Sequence, residues 1–300
     1  MIRVRKRYSV PLPRGRVLEL GVRTLVMGII NVTPDSFADG GLRFDANRAI
    51  EDGLRMVADG ADLLDIGGES TRPGAEPLPE HEELRRVLPV VERLAAEAGV
   101  PISIDTYKAR VAAEAVQRGA VIVNDISGLQ YDAALGATIV DTGAATVLMH
   151  TRGRSRDMYK EAVYVDAPSE IATELRGAIQ RALDVGIRRE SVIVDPGFGF
   201  AKRAEHSYAA LARLDVIAAL DRPVLAGPSR KSFLQAAIGD RIPLEREWGT
   251  AAAVAASVIL GAHIVRVHGV KEMVDVVRVA DQVRCATEEV REAVAEPKRS

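Results

Sequence analysis

Eight short runs of valine, isoleucine and other apolar residues recur along this chain, and helical patterns separate them. The runs cover residues 25–33, 62–67, 102–106, 121–127, 146–151, 192–197, 223–229 and 264–269. They are apolar on both faces, as strands buried in a parallel sheet are. Residues 45–59, 80–97, 108–118, 166–185 and 204–220 carry apolar side chains at three- and four-residue spacing and are predicted as helices. Gly60, Gly99, Gly119, Gly186 and Gly261 each follow a helical stretch and precede a strand, where glycine readily ends a helix. Eight strands alternating with helices predict an α/β fold, a TIM (β/α)8 barrel. An open doubly wound sheet is the alternative; it would carry a glycine-rich phosphate turn early, and no GxGxxG stands there. Residues 1–24 precede the first strand and are expected to form a short N-terminal hairpin closing the barrel floor. Residues 25–287 are then the barrel and 288–300 a charged, frayed tail, all in one domain spanning 1–300.

A chain of 300 residues can bury a large core, roughly 75% of the surface it exposes when unfolded. It needs no disulfide or structural metal, and the lone Cys285 supplies neither a disulfide framework nor a cysteine-rich metal site. Net charge is −2, so no global field draws the protein to nucleic acid or to a membrane surface. The N-terminal MIRVRKRYSVPLPRG is basic without an apolar core behind it, which argues against a signal peptide. The longest nearly apolar run, residues 251–262, is too short to cross a bilayer of about 30 Å as a helix. A soluble, cytoplasmic protein is expected.

What ends the strands is the informative feature. Asn31 closes the first, Asp65 lies late in the second, Asp105 closes the third, and Asn124 and Asp125 close the fourth. His150 ends the fifth, Asp195 the sixth, Ser229-Arg230-Lys231-Ser232 follow the seventh, and Arg266 and His268 close the eighth. Barrels of this class build their sites at these carboxyl ends, from several strands at once. A carboxylate inside an apolar run is paired or directed at a ligand, because isolated buried charge is expensive. For Asp65 or Asp125 alone, a structural ion pair and a ligand contact are equally good readings. Eight strands ending this way together point to a site. Asp105, Asn124 and Asp195 suit the edge of a heterocycle offering several N–H donors. Arg266 and His268, with Asn31 on the strand that neighbours theirs in a closed barrel, suit an anion. Two Gly- and Pro-rich loops, residues 31–41 and 67–75, leave the first two strands on the same side and are candidates to close over a substrate. His81 and His206 are expected on helix surfaces, His263 at the opposite end of the barrel, and His150 is ambiguous.

These residues lie within segments that resemble a known family. MGIINVTPDSFADGG and GADLLDIGGESTRPGA look like the two signature segments of dihydropteroate synthases, and IDTYKARVAAEA, GAVIVNDISG, VLMHTRG, VIVDPGFGFAK, GPSRKSF and GAHIVRVHGVKE continue the similarity in order. The resemblance implies a transferase of folate biosynthesis and a sulfonamide target. Such an enzyme condenses 6-hydroxymethyl-7,8-dihydropterin pyrophosphate with p-aminobenzoate, giving 7,8-dihydropteroate and pyrophosphate by an SN1-like route. It further implies a pterin pocket of Asp105, Asn124, Met149, Asp195, Phe200 and Lys231, and a pyrophosphate site of Asn31, Arg72, Arg266 and His268. Mg2+ would bridge the phosphates and Asn31. The p-aminobenzoate site would comprise Phe37, Thr71, Arg72, Pro73 and Ser232. Asp35, Lys231, Arg266 and His268 would carry the catalysis, Asp35 as the carboxylate stabilising the pterin cation. Arg230 would pair with loop carboxylates and support the site from behind. Small-molecule substrates and a homodimer are expected, with no nucleic-acid or membrane partner. The competing readings are a methyltetrahydrofolate methyltransferase, a non-catalytic paralogue of the synthase, and a Schiff-base aldolase built on Lys231.

Overall fold

All eight apolar runs contribute parallel strands to one sheet. In a computed structural model, residues 5–32, 41–70, 74–154, 158–160 and 162–295 are described, the side chains of 41–45 and 288–295 excepted. A two-stranded antiparallel hairpin, β1 (Tyr8–Pro11) with β2 (Val17–Leu20), comes first. The sheet strands are β3 (Leu25–Asn31), β4 (Leu63–Gly67), β5 (Ile102–Asp105), β6 (Ile122–Asp125), β7 (Ala145–Met149), β8 (Val192–Asp195), β9 (Leu225–Ala226) and β10 (Ile264–Val267). Their order is β8-β7-β6-β5-β4-β3-β10-β9. A parallel bridge between Val194 and Val224, with the Val194 N–H donating to Pro223 O at 2.9 Å, joins the two ends and closes the barrel. β9 is shorter than the run 223–229 because Pro228 lacks the N–H a longer ladder would need.

The helices are α1 (Gly41–Ala58), α2 (Glu80–Glu97), α3 (Ala109–Gln117), α4 (Leu135–Thr142), α5 (Ala167–Asp184), α6 (Ala204–Ala212), α7 (Leu214–Ala218), α8 (Gln235–Ile238), α9 (Glu247–Ile259) and α10 (Val270–Ala295). Two differences from the sequence reading have local causes. The helix expected over 204–220 breaks at Arg213, whose φ of −115° and ψ of 39° lie outside the helical range. α4 gives a weak signal, since its sequence LGATIVDT combines a glycine with β-branched residues that disfavour helix, yet it buries Leu135, Gly136 and Ile139. α10 runs to Ala295.

Strand parity divides the core. Val26, Leu64, Ile66, Ile104, Val123, Leu148, Val194 and Val265 point outward and pack under the helices. Leu25, Met27, Leu63, Ile122, Val147, Ile193, Leu225 and Ile264 point inward and meet Val10, Leu12, Leu18 and Leu20 of the hairpin. The hairpin thus plugs the barrel floor with its own apolar face, as the sequence reading expects. Burying a Leu, Ile or Val fully is worth roughly 1.5–3 kcal/mol, so this floor is dry and firmly held. Continuing each inward row toward the carboxyl ends leads from Leu63 to Asp65, from Ile122 to Asn124, from Ile193 to Asp195 and from Ile264 to Arg266. The barrel lumen is therefore oil below and charge above.

Candidate active site

The charged upper half of the lumen is organised around Arg266. Its Nε donates to Asp65 Oδ2 at 2.5 Å and its Nη2 to Asp105 Oδ2 at 2.6 Å. Asn124 Nδ2 donates to the same Asp65 oxygen at 2.9 Å. Four strands, β4, β5, β6 and β10, thus meet through side chains across the lumen. Burial pushes the Asp105 carboxyl up to about 7, with Arg266 opposing it and Asp65 adding to it. For Arg266 burial works downward, but Asp65 and Asp105 hold the guanidinium above its ordinary range. The sequence reading aimed Arg266 at an anion; in the structure its guanidinium also anchors two carboxylates of the acid-amide pocket.

Asp195 is also buried, and burial raises its carboxyl while Lys231 works against that rise. Its Oδ1 accepts the Gly197 N–H at 2.7 Å. Glycine is required at that turn: φ is +66°, and a Cβ would lie 2.1 Å from His150 O. Lys231 follows a turn that α9 holds. Arg230, a non-glycine at φ +57°, donates its N–H to Thr250 Oγ1 at 3.0 Å and accepts from Arg246 Nη1 at 2.9 Å. Arg230 Nε pairs with Glu247 Oε2 at 2.8 Å, so its partner is a helix carboxylate rather than the loop carboxylate expected. The Lys231 ammonium stands 4.6 Å from the centre of the Phe200 ring, and burial pulls its pKa down to about 8 against the pull of Asp195. Met149 is buried on the inward row of β7.

Nearer the mouth, His268 Nδ1 lies 2.9 Å from Ser229 Oγ, which also accepts the His268 N–H at 3.2 Å. β10 pairs with β3, as the convergence of Arg266, His268 and Asn31 requires, and Asn31 is exposed at the end of β3. Ser232 is exposed, with Tyr159 Oη 3.5 Å from its Oγ. Asp35, Phe37, Thr71, Arg72 and Pro73 lie outside the described residues.

Two ambiguous residues resolve by parity. Asp125 points outward, and its carboxylate accepts from the Ser127 N–H and hydroxyl and the Leu129 N–H, so it is a turn-former. His150 follows the inward Met149 and turns away from the lumen, with Nε2 3.0 Å from Glu174 Oε2 and Nδ1 2.7 Å from Lys202 Nζ. Burial and the Lys202 cation lower the imidazole to about 4. Burial would raise Glu174, yet hydrogen bonds from His150 and Arg152 hold it at about 2. Nε2 therefore carries the hydrogen, and Nδ1 accepts from lysine. His206 is half-buried, its ring 4.8 Å from that of Tyr164, rather than on a free helix surface. His81 is exposed, and His263 is buried at the floor between the Val224 N–H and Lys6 O.

Two lysines escaped sequence reasoning. Lys202 is 1% exposed and also donates to Phe200 O at 2.9 Å and His150 O at 3.2 Å, tying the loop after β8 to the end of β7. Lys108 Nζ reaches Glu69 Oε2 and Leu78 O, both at 2.6 Å, and Glu83 Oε2 at 2.5 Å. It brackets both ends of the stretch between β4 and α2. Lys202 lies in a loop without periodicity and Lys108 at the first position of the predicted helix 108–118, and an unexplained lysine beside a strand end is the sole sequence signal.

Comparison with known proteins agrees with this architecture. A family profile described as "Pterin binding enzyme" matches residues 27–268. The dihydropteroate synthase of Synechocystis sp. is 44% identical over 275 residues, 91% of this chain and 95% of that one. Among solved structures, Xanthomonas albilineans dihydropteroate synthase with 4-aminobenzoic acid superposes with a TM-score of 0.84 at 42% identity, covering 92% of this chain and 98% of that one. The same enzyme in complex with 7,8-dihydropteroate gives 0.81 at 39% identity, covering 91% and 99%.

Proposed function

The chain belongs to the dihydropteroate synthase family of pterin-binding enzymes, and from that premise we propose that it condenses 6-hydroxymethyl-7,8-dihydropterin pyrophosphate with p-aminobenzoate, releasing pyrophosphate. The observation that carries this reading is the Arg266-centred cluster. Asp105, Asn124 and Asp195 give a buried wall of acceptors for the N–H edge of a pterin, and Lys231 gives a donor for its carbonyl. Met149 and Phe200 are the apolar walls. Arg266, His268 and Asn31 take the pyrophosphate, joined by Arg72. Phe37, Thr71, Arg72, Pro73 and Ser232 take p-aminobenzoate. Since its relatives bear the synthase's name, the methyltransferase alternative has no support.

The chemistry is dissociative. The bond from the exocyclic methylene carbon to the pyrophosphate oxygen breaks first, its electron pair leaving with pyrophosphate, while Arg266 and His268 stabilise the charge that develops there. Asp35 is the carboxylate assigned to stabilise the resulting cation. The p-aminobenzoate nitrogen then forms the new carbon–nitrogen bond and gives up a proton. Among the described residues no three His, Cys, Asp or Glu converge on a metal site. Asn31 offers one hard oxygen, which suits Mg2+, an ion that takes few protein ligands and completes its shell with phosphate and water. When bound, Mg2+ supplies further neutralisation of the leaving group.

The test is a pyrophosphate-release assay with each component omitted in turn. Release is expected to require both substrates, to fall without Mg2+, and to be inhibited by sulfonamides competitively with p-aminobenzoate. Release indifferent to either substrate overturns the reading. A second expectation concerns pH. Asp105 binds as a carboxylate, so pterin affinity rises as pH passes about 7; Lys231 binds as an ammonium, so affinity falls as pH passes about 8. The log kcat/KM profile for the pterin substrate is expected to be bell-shaped around these values. Lys231→Arg, which stays charged, is expected to abolish the alkaline limb. A flat wild-type profile contradicts both assignments.

The proposed species in solution is a homodimer. Trp248 at the start of α9 is 85% exposed, beside exposed Ile242 and Leu244, and α10, packed on α9, exposes Val279 and Val283. No described helix is long and apolar enough to cross a membrane, and the cytoplasm is the proposed location.

A further inference from the structure

Asp65 is the most buried charge in the lumen, 0% exposed, and it stands in none of the ligand contacts assigned above. Its Oδ1 has no hydrogen-bond partner among the described residues, and neither has Ser103 Oγ, directly across the β4–β5 pairing. A carboxylate kept dry with one oxygen unmatched is costly to the fold, so its remaining contacts call for explanation. Asp65 Oδ2 accepts from Arg266 Nε at 2.5 Å and from Asn124 Nδ2 at 2.9 Å.

The second contact fixes an orientation. An amide presents two donors from its nitrogen and two lone pairs from its oxygen, and the two ends have nearly the same shape. An oxygen that already receives a guanidinium hydrogen offers Asn124 nothing but lone pairs. Asn124 must therefore turn its NH2 to Asp65, which leaves its carbonyl oxygen to face a ligand. Without Asp65 either end of the amide can face the ligand at similar cost.

We propose that Asp65 is the positioning residue that sets the pocket's specificity, by locking Asn124 with its acceptor end toward the ligand. With Asp105 and the second oxygen of Asp195 also accepting, the wall then reads acceptor throughout. Such a wall selects a ring edge made of N–H and NH2 groups and rejects one that places a carbonyl among them. The chemical class selected is a 2-amino-4-oxo pteridine over its 2,4-dioxo counterpart, in which an acceptor replaces the amino donor. This inference rests on the pterin reading and deepens it.

The test is a double-mutant cycle on the full-length protein. Dissociation constants are measured by calorimetry for 6-hydroxymethylpterin and for its 2,4-dioxo analogue. The proteins are the wild type, Asp65→Ala, Asn124→Ala and the double variant. Wild type is expected to prefer the amino ring by about 100-fold or more, the scale on which unmatched buried polar groups discriminate. Asp65→Ala is expected to reduce that preference about tenfold, and to change it no further in the Asn124→Ala background. A preference unchanged by Asp65→Ala, or reduced equally in both backgrounds, overturns the proposal; equal weakening of both ligands is what a merely structural role gives. If Asp65→Ala does not fold, Asp65→Asn takes its place. Its amide can face Asn124 with either end, so the preference is expected to fall about threefold, and an unchanged preference overturns the proposal. A wild type that binds neither ring instead overturns the pterin reading itself.

Discussion

Replacing Arg266 with alanine is expected to slow turnover by about 10²–10³, the loss usual when one preorganised charge at a developing anion is removed. A second effect is separable from the first. Arg266 is the cation shared by Asp65 and Asp105, at 2.5 and 2.6 Å. Without it two carboxylates share a dry space, and Asp105, already near 7 with Arg266 present, rises further. At neutral pH the variant then presents a protonated carboxyl, a donor where the pterin edge needs an acceptor. Pterin affinity is expected to be weak at pH 7 and to recover in part as pH rises. The loss in single-turnover rate at saturating substrate is expected to persist at every pH. Normal turnover by the variant contradicts the leaving-group assignment; a rate loss without the pH-dependent binding loss contradicts the shared-cation account.

Lys202→Met is expected to destabilise the fold by about 3 kcal/mol, roughly 1 kcal/mol for each of three buried acceptors left without a donor. Methionine fills similar volume, so the loss is polar rather than steric. His150 Nδ1, His150 O and Phe200 O each lose a donor, at 2.7, 3.2 and 2.9 Å, in a region closed to water. Lys202 itself has its pKa pushed well down by burial, with Asp195 the chief influence in the other direction. The melting temperature is expected to fall on the order of 10 °C. An unchanged Tm means that the three contacts contribute nothing net.

The fold was legible because its signal is local. Each strand is a short apolar run, each run ends in a polar residue, and parity then sends Asp65, Asp105, Asn124, Asp195 and Arg266 to the same side as the floor residues beneath them. Closure by a barrel follows from the count of strands, and the hairpin from residues 1–24, which precede the first of them. What was not legible is pairing between distant positions. Arg266 reads as an anion binder beside His268; that Asp65 and Asp105 hold it depends on contacts spanning 201 and 161 residues. Arg230 reads as a loop partner, whereas Glu247 holds it from the first turn of α9. Lys202 sits in a loop where no period exists to say which way a side chain turns, and Lys108 is the residue just before α3, where the helical period does not yet fix a direction. His150 and Asp125 show the converse: each looks like a site residue by position and is excluded by facing outward.

The hairpin under the barrel has one more effect. By stopping the lower end with Val10, Leu12, Leu18 and Leu20, it makes the barrel a shaft closed at its floor. Traffic in such a shaft runs in sequence. Whatever occupies the bottom, between Asp65 and Asp195, has to descend before anything is seated at the rim near Ser232, and it cannot climb out past a neighbour still in place. Order of entry and exit is then a property of the plumbing, whatever the affinities of the individual ligands.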